Sequence, residues 1–234
     1  MISTEPLEGV TKFEADHRSG VLPGSRFGQL FAELQAWRQI LFQLNLIGQD
    51  PSRYEGAGYG NVSARVPPHG RGRGQRAFLV TGTQTGGRGE LSLNDYCVVE
   101  RYDVVANRVV SSGQASPSSE SMTHGSLYDA NPGIRFVFHG HIPLIWRNAK
   151  RLKLPCTQPT TAYGTVEMAR EVSDLYRSST LHEKRVLAML GHEDGIVSFG
   201  RTASEAGGVL VNTLAEALAL EQCQTIPALG CRFD

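Results

Sequence analysis

The chain is short of cysteine, has no excess charge and has no long apolar run, and each shortage removes a class of function. Its 234 residues include only Cys97, Cys156, Cys223 and Cys231, with no two at CxxC spacing. A disulfide framework is not expected; reduced thiols in a cytoplasmic protein are. Lys plus Arg and Asp plus Glu each number 23, so the formal net charge is zero. No global field draws the chain to nucleic acid or to an anionic membrane. No apolar stretch approaches the roughly 18–20 residues of a membrane span. Residues 1–6 carry neither the basic nor the apolar region of a secretory leader. What is present, 40% hydrophobic and 20% charged residues, is the balance of a globular chain.

Residues 1–26 are polar and aperiodic and read as an N-terminal arm, ahead of one domain over 27–234 without repeat or linker. Leu30, Leu34, Trp37, Leu41 and Leu44 recur near helical spacing, which predicts a helix over 27–47 with Gly48 placed to stop it. Residues 60–66 and 77–80 read as strands, and 97–102 with 108–111 as a hairpin around Ala106 and Asn107. Between the first two lies a Gly/Arg loop, read as a solvated tip. Residues 117–131 read as a helix that Ser118 and Ser119 can cap and Pro132 ends. Further helices are predicted over 164–177 and 202–222. Residues 186–190 read as a strand that continues, past Gly191-His192-Glu193-Asp194-Gly195, through 196–199. Strands joined by both hairpins and helices imply a mixed α/β domain with a largely antiparallel sheet.

The run Ile134-Arg135-Phe136-Val137-Phe138 is bounded by Asn131-Pro132-Gly133 and reads as a strand ending in His139-Gly140-His141. Residues two apart on a strand share a face, so both imidazoles point to one place. That is either half of a first-row metal site, with zinc held at roughly 2.0–2.1 Å, or two ordinary strand-end histidines.

Four segments taken in order resemble the class II aldolase/adducin family: Gly60-Asn61-Val62-Ser63, the Thr/Gly turn of residues 81–87, Pro117-Ser118-Ser119-Glu120, and His139-Gly140-His141 with a late His192. The resemblance spans about residues 27–222. It implies a three-layer αβα domain around a mostly antiparallel sheet, assembled as a homotetramer with sites near subunit interfaces. It also implies one divalent metal per subunit, zinc first, with Mn2+, Co2+ or Fe2+ as alternatives. His139 and His141 would be two ligands. The family's third histidine directly precedes a glycine; here Asp194 precedes Gly195, and His192 lies two positions earlier. On a strand both would face the same way, so both stand as the third ligand, with His192 preferred as the softer donor.

By the same resemblance, Asn61, Thr85, Gly86, Ser118 and Ser119 would bind a substrate phosphate, with Thr83-Gln84 as the other candidate for the Thr-Gly position. Small residues and a helix start near Ser118 suit an anion on physical grounds as well; a plain turn and a cap are the alternative. Glu120 takes the family's acidic position, where the aldolases use Glu for proton transfer. The implied activity is that of a metal-dependent aldehyde-lyase. It would cleave a C–C bond, aldolase fashion, through an enediolate in a small sugar phosphate or polyhydroxy or keto acid. Thr123-His124, Leu127-Tyr128 and Ile145-Trp146 look more like the epimerase branch, so a sugar-phosphate 4-epimerase or a decarboxylase is the alternative within the family. A non-catalytic scaffold like the adducin head is the alternative from another class. His124, four residues after Glu120, is expected behind it; His17, His69 and His182 are expected at the surface.

Overall fold

The structure, a computed structural model, describes residues 10–225. In chain order the strands and helices are β1 (Glu14–Ser19), α1 (Gly24–Gln43), β2 (Gly48–Gln49), β3 (Gly58–Tyr59), β4 (Asn61–Arg65), β5 (Phe78–Thr81), β6 (Tyr96–Asp103), β7 (Arg108–Gly113), α2 (Ser121–Ala130), β8 (Phe136–His141), α3 (Pro143–Asn148), α4 (Val166–Ser178), α5 (Leu181–Lys184), β9 (Val186–Ala188), β10 (Gly195–Gly200) and α6 (Ala203–Thr225). Eight strands form one sheet in the order β1-β7-β6-β5-β4-β8-β10-β9; β2 and β3 make a separate small ribbon. All pairings in the large sheet are antiparallel except β1 with β7.

Alternation along the central strands explains the layers. Val62, Phe136, Phe138 and Ile196 face a core shared with Leu34 and Leu41 of α1, Ile145 of α3 and Leu210 of α6. Val137 and Val197 face the opposite core, with Met122 and Leu127 of α2, Met168 and Val172 of α4 and Leu181 of α5. Helices thus cover both faces of a mixed sheet, the three-layer architecture expected. β8 is buried along its whole length because both its faces are covered.

Four local expectations are corrected. Part of the stretch read as an aperiodic arm is β1, a parallel edge strand on β7. Its sequence, EADHRS, buries almost nothing, so it carries no hydrophobic period to detect. Helix α1 starts earlier, at Gly24, and ends before Gly48. Its chain reverses at Asn45, in left-handed conformation (φ 56°), and Leu46 N–H returns to Leu41 O at 2.9 Å. Helix α2 starts at Ser121, so Ser118 and Ser119 precede it and neither caps it. Finally, β10 is not a continuation of β9: a tight turn over 189–195 folds it back as the antiparallel partner.

Helices α1 and α6 pack closely where Trp37 of α1 covers Gly207. A Cβ at Gly207 would fall 2.1 Å from the Trp37 ring, whereas one at Gly208 meets nothing within 4 Å. The two neighbouring glycines therefore respond oppositely to alanine. Gly207→Ala should destabilise by about 1–3 kcal/mol through overpacking, and Gly208→Ala should stabilise by up to about 1 kcal/mol through helix propensity. Denaturant midpoints of the two variants check the sign of each.

Candidate metal centre and anion pocket

The site is assembled by strand register. In the β4–β8 ladder Asn61 lies opposite His139, and in the β8–β10 ladder Gly195 lies opposite His141. His139 and His141 point to the face covered by α2, as do Asn61 and Ser63. The turn between β9 and β10 supplies the third imidazole: His192 N–H donates to Met189 O at 3.0 Å, and Gly195 N–H to His192 O at 2.9 Å. Ligand nitrogens of His139, His141 and His192 lie within 4.8 Å of one another, and all three side chains are buried. Asp194 is turned elsewhere. It adopts left-handed backbone (φ 60°), and its Oδ2 accepts from Tyr54 Oη at 2.6 Å and Arg53 Nη2 at 3.4 Å. The expectation that residues 192 and 194 share a strand face is corrected: both lie in a turn, and only His192 joins the cluster.

The donor chemistry fits a divalent metal. Ile196 O can only accept, so the 3.1 Å contact with His139 Nδ1 puts the ring proton on that atom. His139 Nε2 is then a bare lone pair, buried with no hydrogen-bond partner. Burial first, and His192 next, push the pKa values of His139 and His141 well below the ordinary 6.5. The two rings are therefore unprotonated at neutral pH, as metal ligation requires. Glu120, just before α2 and 1% exposed, brings Oε1 to 3.7 Å from His192 Nδ1, while its Oε2 accepts from Thr123 Oγ1 at 2.9 Å. Three imidazoles with an adjacent carboxylate match the ligand types of a catalytic zinc site with an open position.

Beside this cluster is a cleft lined by Gly58, Gly60, Asn61, Gly82, Thr83, Gln84, Thr85, Gly86, Ser118 and Ser119. The five residues expected to bind an anion are thus gathered in one place, and both candidate Thr turns line it. Asn61 Oδ1 is buried without a hydrogen-bond partner. The Ser118-Ser119-Glu120 segment is held by Ser118 O, which accepts from the backbone N–H and the hydroxyl of Ser121 at 3.0 and 2.7 Å.

Behind Glu120, His124 is fully buried, with Nδ1 2.7 Å from Ser63 Oγ, which is itself 2.7 Å from Tyr128 Oη. Of the three histidines expected at the surface, His182 is exposed, while His17 and His69 are half-buried. Sequence reasoning missed the aromatic wall of the metal cluster. The Tyr54 ring lies 4.6 Å from His141, Tyr59 lies 5.3 Å from it, and Tyr163 stacks on His192 at 4.4 Å. It also missed Arg38, buried beneath the Thr/Gly turn. That residue did carry a signal, a charge on the apolar face set by Leu34 and Leu41.

This geometry leads to two predictions. His192→Ala should lose far more zinc affinity than Asp194→Ala, measured by competition with a chromogenic chelator; a larger loss in the Asp194 variant would reverse the assignment. Burial lowers the His124 pKa from 6.5 to about 3. Between those values the unfolded chain binds a proton that the folded chain does not, so the His124 contribution to stability falls as pH drops from 6.5 towards 3. His124→Asn should therefore flatten the acid side of the stability–pH profile of metal-free protein.

Comparison with known proteins bears on the family and the fold. The family described as "Class II Aldolase and Adducin N-terminal domain" matches residues 51–219. L-fuculose-1-phosphate aldolase from Thermus thermophilus superposes with a TM-score of 0.62 at 19% identity, covering 88% of this chain and 100% of that one. The sugar-phosphate aldolase from Thermotoga maritima gives 0.63 at 16% identity, over 88% and 98%. An aldolase II superfamily protein from Pseudomonas syringae gives 0.55 at 15%, over 89% and 79%. At these identities the superpositions speak for the fold, and the family match spans most of the chain: this protein belongs to the class II aldolase and adducin family.

Proposed function

We propose that the protein is a metal-dependent lyase that makes or breaks a C–C bond beside a carbonyl in a small sugar phosphate or polyhydroxy or keto acid. The observation that carries this reading is the placement of Glu120. Its carboxylate is buried against the three-histidine cluster, and Ser118 and Ser119, directly before it, line the anion cleft.

His139, His141 and His192 would hold the metal, zinc by donor softness, which when bound supplies Lewis-acid polarisation of the carbonyl. The protein's own residues do the rest. Asn61, Thr85, Gly86, Ser118 and Ser119 bind the substrate's anionic group and so fix which carbon lies beside Glu120. Thr123, donating to Oε2, orients the carboxylate so that Oε1 faces the histidines. Glu120 moves the proton at the reacting carbon or its hydroxyl. Tyr54, Tyr59 and Tyr163 wall the centre against water.

The residues that lean towards the epimerase branch give that reading no separate support. His124 is tied to Ser63, and Trp146 donates to Met189 O at 3.0 Å, so both serve the packing around the centre. An adducin-head-like scaffold has no use for three buried imidazoles converging beside a carboxylate. The same reading makes the protein a cytoplasmic homotetramer without nucleic-acid or membrane partners. Among the described residues the thiols of Cys97 and Cys156 are free, which suits a reducing compartment, and no described helix is long and apolar enough to cross a membrane. Cys231 lies outside the described residues.

The test is Glu120→Gln, which keeps size and shape but removes the base. With a substrate found by screening sugar phosphates and hydroxy-keto acids, turnover should fall about 10²–10⁴-fold, while bound zinc per subunit falls much less. Wild-type turnover in this variant would remove Glu120 from the mechanism.

A further inference from the structure

The anion cleft has no charged lining: its side chains are hydroxyls, amides and glycines. A buried cation stands behind its Thr/Gly turn: Arg38, on α1 and 1% exposed. Nη2 donates to Thr85 O at 2.7 Å and Gly86 O at 3.4 Å, and Nη1 donates to Gly89 O at 3.2 Å. Gln35 Nε2 donates to the same Gly89 oxygen at 3.5 Å, and Gln35 Oε1 accepts from Tyr96 Oη at 3.0 Å. Among the described residues no carboxylate pairs with Arg38; the neighbouring Asp95 is bound to Arg88. Burying an unpaired guanidinium is costly, so its place here calls for a reason beyond packing.

Peptide geometry supplies one. In a trans peptide the carbonyl and the following N–H point in opposite directions across a rigid plane. With the Thr85 and Gly86 carbonyls drawn to Arg38, the N–H groups of Gly86 and Gly87 are turned away from it. Neither N–H donates to another group among the described residues, although Gly86 lines the cleft. Two unspent backbone donors, that of Gly86 at the cleft and that of Gly87 next to it, with a positive charge behind them are the elements from which an anion-binding concavity is built.

We infer that Arg38 is the positioning residue of this cleft: it orients the Gly86 and Gly87 N–H groups towards a bound phosphate and supplies the positive charge that the lining lacks. This rests on the cleft being the anion site proposed above and adds the residue that makes it one. Arg38 does not touch the anion; it acts through the turn. Lysine keeps the charge but cannot span three carbonyls, and methionine keeps bulk alone.

The experiment is titration with inorganic phosphate by calorimetry, on wild type, Arg38→Lys and Arg38→Met, with zinc affinity measured alongside. Wild type should bind phosphate, Arg38→Met should bind it on the order of tenfold more weakly or worse, and Arg38→Lys should fall between. Zinc affinity should be unchanged in both variants, which a general loss of structure would not allow. If wild type binds phosphate and Arg38→Met binds it equally, the role of Arg38 is overturned while the cleft assignment stands. If wild type binds none, the cleft assignment falls and this inference with it. Should Arg38→Met not fold, wild type with isotopically labelled glycine decides: phosphate must shift the Gly86 and Gly87 amide resonances, and unshifted amides overturn the proposal.

Discussion

The site depends on the register of β8 between its two antiparallel neighbours. A slip of one residue against β4 or β10 would send both histidines to the α1 face and bring Phe138 into their place. Gly140 shows how the register is pinned. Leu46 O, where the chain leaves α1, accepts from His141 N–H at 2.9 Å, and a Cβ at Gly140 would lie 2.7 Å from that oxygen. Only glycine between the two histidines lets this crossing close. The crossing in turn docks the segment carrying Arg53, Tyr54 and Tyr59 over the imidazoles before the chain enters β4 at Asn61.

Polarity is divided between the two ends of the central strands. At one end of β4 lies Asn61, beside neutral imidazoles and Glu120. At the other lies Arg65, 2% exposed, donating to His69 O at 3.1 Å, with burial and the neighbouring Arg135 lowering its pKa. The neutral rings of His139 and His141 thus bring no positive charge of their own to the site end. Any divalent ion there would be the dominant local charge, with Glu120 opposing it, and it would set the electrostatics of whatever carbonyl lies alongside.

Where the sequence had a period, the fold was legible. The β-branched and aromatic run before His139 is β8, the stretch around Ala106 and Asn107 is the β6–β7 hairpin, and the ordered motifs led to the three-layer architecture. β1 escaped because an edge strand held by backbone hydrogen bonds needs no apolar alternation. At the site, Asn61, Thr85, Gly86, Ser118 and Ser119 were legible through the ordered family motifs, and the structure brings them to one cleft, where anion binding is our proposal. Tyr54, Tyr163 and Arg38 were not, because their roles arise from contacts with His141, His192 and the Thr85–Gly89 carbonyls, which are far away in sequence. The shared-face argument for His192 and Asp194 failed for a related reason: it assumed extended backbone where the chain makes a tight turn.

That turn also bears on the charge at the centre. With Asp194 in left-handed backbone, its carboxylate leaves the imidazoles and is neutralised by Arg53, whose guanidinium lies over the Tyr54 and Tyr59 rings at 4.8 Å from each. Burial, and then Asp194 itself, raises the Tyr54 pKa, so the phenol stays protonated and keeps donating to that carboxylate. A second carboxylate among the histidines would spread more negative charge onto a bound cation and weaken its pull on a carbonyl. Diverting Asp194 to Arg53 and Tyr54 leaves Glu120, among the described residues, as the acidic group at the imidazoles, the place its proposed role as a base requires. The two-residue displacement of histidine from Gly195 is therefore compatible with a strong Lewis-acid site, because the turn that creates the displacement also removes the competing acid.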